Sequence, residues 1–262
     1  MKHFLKIAAF LLILSLGIQS ASSQSSLNLS QIGEREELMY DIYYNWGMIW
    51  KKAGEGRFIL ESSKFEGNPV KKVSLYGRTL SIVESLFPVR DTLISYIDSK
   101  NSVPKYYTKI INEGGYEATD IIRYSYPADS VVTKVREIRS KGEIRDTLLS
   151  SKDPIYDMLT VFYYLRSIEL QKARINETFP AVVVTGRHLY KLKFKFLGMY
   201  ELKVHKKENK RICYKVQLLF ENSFGQIDDD TMIVFIGDDE ARTPIQLEAK
   251  LRIGYLRAIL RE

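Results

Sequence analysis

The chain has 262 residues, of which 45% are hydrophobic, with a formal charge of +7 and a single cysteine. A chain of this length and apolar content can bury a full core without a metal or disulfide staple, and one cysteine excludes an intrachain disulfide. The cationic excess is mild and interleaved with acids, which excludes the concentrated basic footprint of a nucleic-acid-binding protein.

The first residues point to export. Lys2 and Lys6 precede an apolar run from Ile7 to Ile18, and the small residues Ser20-Ala21-Ser22-Ser23 end it before Gln24. That order of charge, apolar stretch and small-residue site is a secretory signal, with cleavage expected after Ser23. A retained anchor is the competing reading, but a run of about a dozen residues falls short of the roughly 20 that span a bilayer. No cysteine lies near the site, so a thioether lipid anchor is not expected. The expectation is an exported, periplasmic or envelope-associated protein with no transmembrane segment after signal removal. Residues 24–262 then form a single β-rich domain.

Past a polar lead from Gln24 to Gly33, alternation at period two dominates. Ile42, Tyr44, Trp46, Met48 and Trp50 fall on one face of a strand, with Tyr43, Asn45, Gly47, Ile49 and Lys51 on the other. Further strands are read at 57–61, 72–76, 93–98, 105–112, 119–126 and 131–139. A second group follows at 188–196, 199–205, 211–221, 231–236 and 244–260. Gly, Pro, Asp and Asn punctuate them. Such a series predicts a mainly β fold: a strongly curved antiparallel sheet, barrel-like roll or sandwich, with one or two helices packed on it. Two segments break the period. Leu80, Val83 and Phe87 recur at helical spacing before Pro88. A longer helix is expected over 153–170, with Asp153 as N-cap, Pro154 in the first turn, and a stripe of Ile155, Met158, Leu159, Phe162 and Leu165. Cys213 shares its strand face with Lys215 and Gln217, which is awkward for a residue best tolerated when buried.

Several stretches together carry a resemblance. They are Tyr44-Asn45-Trp46-Gly47, Ala53-Gly54, Leu86-Phe87-Pro88-Val89-Arg90-Asp91 and Ser95-Tyr96-Ile97-Asp98. Asp157-Met158-Leu159-Thr160, Tyr163-Tyr164-Leu165-Arg166, 238–244 and Ile253-Gly254-Tyr255-Leu256 complete the series. In this order, over nearly the whole mature chain, the sequence resembles the exported bacterial family known as domain of unknown function 3108. Phe87-Pro88 and Thr160 depart from the more usual Phe-Lys and Ser. The resemblance implies an envelope protein of unassigned activity and supplies no catalytic roles.

The candidate sites each carry two readings. Tyr44, Trp46 and Trp50 form either an aromatic platform for a ligand or the seam of a core. Arg90, Asp91, Ser95, Asp98, Asp157 and Arg166 form either structural ion pairs between helix and sheet or, through the acids, a carboxylate constellation for glycoside hydrolysis. Of the histidines, His188 and His205 have no metal-ligand spacing, and no cofactor-binding or nucleophile motif occurs. Asp228-Asp229-Asp230 lacks a calcium-loop frame. Tyr190, Leu192, Phe194 and Phe196 alternate with Lys191, Lys193 and Lys195, a two-faced strand whose lysines, joined by Lys203, Lys206 and Lys207, could hold a lipid phosphate or anionic envelope glycan or simply blunt an edge. Non-catalytic binding of a hydrophobic or amphipathic envelope ligand ranks first, an assembly or scaffold role second, and a glycan hydrolase third.

Overall fold

The computed structural model describes residues 27–29, 32–46, 49–203, 210–221, 232–251 and 254–261. The signal-like start, His205 to Lys207 and Asp228 to Asp230 lie outside them. In chain order the elements are β1 (Arg35–Trp46), β2 (Ile49–Phe65), β3 (Asn68–Thr79), α1 (Ser81–Leu86), β4 (Arg90–Asp98), β5 (Pro104–Glu113), β6 (Tyr116–Ser125), β7 (Val131–Arg139), β8 (Ile144–Ser151), β9 (Ile155–Tyr156), α2 (Thr160–Ser167), β10 (Thr178–Thr185), β11 (His188–Lys203), β12 (Lys210–Phe220), β13 (Met232–Gly237), β14 (Pro244–Lys250) and β15 (Tyr255–Leu260).

All fifteen strands form one sheet, ordered from β8 down to β1, then β15 down to β9. Neighbours are antiparallel except β9 and β10. Tight hairpins make the meander possible. Glu66-Gly67 and Gly114-Gly115 hold successive positive φ angles, the turn geometry whose twist matches that of paired strands. The sheet's two edges, β8 and β9, are consecutive in the chain, and the four steps from Ser151 to Ile155 reach at most about 14 Å. The sheet therefore curls into a nearly closed barrel.

The helix α2 fills one end of that barrel. Thr160, Val161, Tyr163, Tyr164, Leu165 and Arg166 are all buried. It meets walls on several sides: Phe162 packs edge-on to Phe58 of β2, Tyr164 lies 6.0 Å from Phe194 of β11 and donates to the Pro180 carbonyl of β10, and Arg166 pairs with Glu36 of β1. An eight-residue helix is marginal by itself, so tertiary burial holds it. Leu27 and Leu29, within the lead read as polar, join the same core, and the Asn28 amide donates to Ser167 Oγ.

Four expectations change. The helix is shorter than 153–170: Asp153 and Pro154 sit in the connection before β9. Asp157 starts the helix instead, its Oδ1 accepting the amides of Leu159 and Thr160, both at 2.9 Å. Ile42 to Trp46 and Ile49 to Trp50 are not one strand: they pair with each other as the ends of β1 and β2. The strands β8 and β10 were hidden, and His188–Lys203 is one long strand with a bulge at Phe196/Gly198. Cys213 is fully buried on the outer face in a second cluster with Leu202, Phe235, Ile245 and Ile259, while Lys215 on that face lies over the rings of Tyr200 and Phe235. No helix among the described residues is long and apolar enough to cross a membrane.

Candidate functional site

The end opposite α2 is built differently. The β1–β2, β5–β6, β7–β8, β10–β11 and β14–β15 connections gather there. On β2, β3, β12 and β13, inward side chains become more accessible towards the mouth. Val73, Leu60, Val216 and Val234 are sealed at 0–1% exposure. Towards the mouth, Leu75, Phe58, Phe220 and Met232 are half-buried, as are the inward Ile42, Tyr44, Leu247, Leu256 and Ala258. Gly56 lies beneath the Ile42 and Leu75 side chains, whereas a Cβ on the inward Gly77 would meet no atom within 4 Å. This wall is apolar and open.

The adjoining wall, from β4 to β7, is polar. Register places Lys109 opposite Asp120, and Asp120 opposite Glu137, all inward and each 7–9% exposed. Arg139 reaches Asp120 at 2.6 Å and Glu137 at 2.5 Å, and Arg187 of the β10–β11 turn reaches Glu137 at 3.1 Å. That last contact, from β7 to the β10–β11 turn, spans the seam between the sheet's edge strands β8 and β9 and ties the mouth shut on that side. Glu113, buried at the end of β5, is hydrogen-bonded to Asp91; burial, then the Asp91 charge, push its carboxyl up to about 7, against the pull of Lys109. At neutral pH such a pair holds its proton part of the time. Carboxyls this close leave no room for the water or sugar that a glycosidase pair flanks at about 5 Å or more.

The candidates read from sequence do not converge. Asp91 and Asp98 stand at opposite ends of β4, about 23 Å apart at strand rise. Asp98 accepts the Lys100 and Asn101 amides and pairs with Lys105 at 3.2 Å, and despite partial burial these partners hold it below the usual carboxylate range. Asp157 is fully buried; burial pushes its carboxyl up, opposed by hydrogen bonds from the Thr160 and Leu159 amides and from Ser95 at 2.9 Å. Arg166 lies at the far end of α2 from Asp157 and holds Glu36 and the Ala241 carbonyl. Arg90 pairs with Glu84 of α1. In the aromatic strip, Tyr44 faces inward opposite Leu256, while Trp50 pairs with Asn45 on the outer face and is 40% exposed. Trp46 closes β1 opposite Ile49, and its side chain lies outside what is described. The lysines 191, 193 and 195 face outward, Lys193 bridging to Glu221. Among the described residues no group of three His, Cys, Asp or Glu side chains could hold a metal ion.

A groove of about 550 Å³ crosses the outer face of β1–β4 past Met39, Tyr76 and Thr92. Its arginines are already committed, Arg57 to Glu37 and Arg78 to Glu55, both at 2.7 Å, so it offers little uncompensated charge. The Asp91–Glu113 pair and the Gly77 opening were missed in the sequence because strand register, not spacing, creates them.

A family model described as "Protein of unknown function (DUF3108)" matches residues 39–261, and the chain belongs to that family. No curated protein matches. Among solved structures, the chain is similar to a beta-barrel-like protein of domain of unknown function DUF1849 from Brucella abortus. The two share 8% identity with a TM-score of 0.57, over 86% of this chain and 95% of that one. The likeness is one of fold.

Proposed function

We propose that this member of the DUF3108 family is an exported cell-envelope protein that binds an amphipathic ligand without catalysis, lodging the ligand's apolar chain in the open mouth of the barrel. The observation that carries this reading is the rise in accessibility of inward apolar side chains towards one end, from sealed Val73 to half-buried Leu75 and the open position at Gly77. Side chains that point into a barrel and still meet solvent-sized space are unfavourable unless something covers them, at about 25 cal/mol per Å² of apolar surface. The polar stretch gives the same ligand a place for its head group: Asp91, bonded to Glu113, pairs directly across from Gly77, and Lys109 lies in one row with Leu75 through Leu93. Support for export is the order of Lys2, Lys6, the apolar run and the small residues before Gln24.

Trp50 stands outside this site and Tyr44 within it, so the aromatic strip contributes one residue to each face. Hydrolysis through Asp91, Asp98 and Asp157 is disfavoured by their separation. The test is native mass spectrometry of the protein purified from the envelope fraction of its expression host. An adduct of one amphipathic molecule per chain, removed by organic extraction, is expected. A chain that carries no adduct and takes up no fluorescent fatty acid after extraction would sink the reading.

A further inference from the structure

The outer face beside the same mouth carries a pattern that ligand capture does not use. Pairing of β14, β15, β1 and β2 sets two adjacent rows on that face: Lys250, Tyr255, Asn45 and Trp50 nearest the rim, then Glu248, Arg257, Tyr43 and Lys52. Trp50 is 40% and Tyr255 49% exposed. The Arg257 guanidinium lies 4.5 Å from the Trp50 ring while also pairing with Glu248. Lys52 is paired with Asp41, but Lys250 is exposed and has no acidic partner among the described residues.

Tryptophan and tyrosine with one wet and one apolar side favour the boundary between water and hydrocarbon, and lysine or arginine beside them is attracted by anionic head groups. We infer that this rim around Trp50 and Tyr255 is a docking surface for an anionic lipid bilayer, bringing the open mouth to the membrane surface. Charge complementarity selects that occupant: the unpaired charge of the patch, Lys250, is positive, and its exposed apolar groups are the two ring types enriched at membrane interfaces. A second copy of the chain would place like charges opposite one another.

The mature protein is mixed with vesicles of phosphatidylcholine alone or with 30% phosphatidylglycerol and sedimented. Binding to the anionic vesicles is expected, with little to the neutral ones and a fall as salt is raised. Lys250→Gln should weaken it about fivefold, the effect of one cation near a charged surface. Trp50→Ala should weaken it further while leaving the melting temperature unchanged, and Trp50 emission should shift to the blue only with anionic vesicles. Equal binding to both vesicle types, no binding to either, or binding that neither substitution changes would overturn the inference, as would concentration-dependent dimerisation through this patch. Gly77→Phe separates the two proposals, because it should block the mouth and leave vesicle binding intact.

Discussion

Arg166 of α2 and Glu36 of β1, 130 positions apart in sequence, meet through two parallel hydrogen bonds of 2.7 and 2.6 Å. The arginine side chain is only 3% exposed, and it also donates to the Ala241 carbonyl, so one residue ties the internal helix to the first strand and to the β13–β14 turn. Glu36→Ala leaves a buried guanidinium without its carboxylate. A loss of about 3–5 kcal/mol is expected in urea unfolding. The double replacement Glu36→Leu with Arg166→Met should lose less than the single change.

Asp157 tests how α2 begins. Its Oδ1 accepts two backbone amides and its Oδ2 accepts Ser95 Oγ. Asp157→Ala orphans these three donors and the Tyr124 hydroxyl, which donates to Oδ2 at 3.4 Å, and should cost about 1–3 kcal/mol. Asp157→Asn keeps the acceptor for the amides, and because burial already disfavours the charged form, it should cost less than half as much in the same measurement.

The Glu113 carboxyl gives a pH signature. Its ordinary value is 4.5 and the fold raises it to about 7. Between those values the folded chain binds more protons than the unfolded one, so this group's contribution to stability falls as pH rises from about 4.5 to 7. Asp157, also raised, contributes a slope of the same sign that begins near its ordinary 3.8. Stability followed by denaturant unfolding should therefore decline across that window, and Glu113→Gln should make the decline shallower. An unchanged slope in the variant would show that the fold does not raise the Glu113 carboxyl.

Cys213 should behave as an inert thiol. It is fully buried, and burial pushes the thiol up to about 11, far from the thiolate that reacts. Ellman's reagent is expected to label it only as fast as the protein unfolds. Immediate labelling in the native state would contradict its place beneath the second cluster.

Strands that bury one face showed themselves in the sequence: β7 and β12 alternate because their inward residues, such as Val135 and Val216, touch the core. Hidden strands have physical reasons. The edge strand β8 is exposed along most of its length, with Asp146 bridging to Arg136, so it lacks an apolar period. Pro180 disguises β10, yet it falls outside the short pairing with β9 at Val182–Val183 and forfeits no ladder bond there. Asp153 and Pro154 carry a sound helix-start signal, but Asp157 lies where the buried Ser95 and the α2 amides need an acceptor, and tertiary structure decided between them. Of the site, Tyr44, Asp91 and Trp50 were visible as residue types. Which face each occupies depended on where the β1–β2 hairpin folds back and on cross-strand register.

The most direct measurement is the affinity of the delipidated protein for a fluorescent fatty acid, compared between the natural chain and Gly77→Phe. The inward direction at Gly77 is unobstructed and its φ is not positive, so the variant should fold with an unchanged melting temperature. Saturable binding that falls at least about tenfold, or about 1.4 kcal/mol, in the variant is the expected result. Equal affinity in the two proteins, or no uptake by the natural chain, would contradict a ligand held inside the mouth.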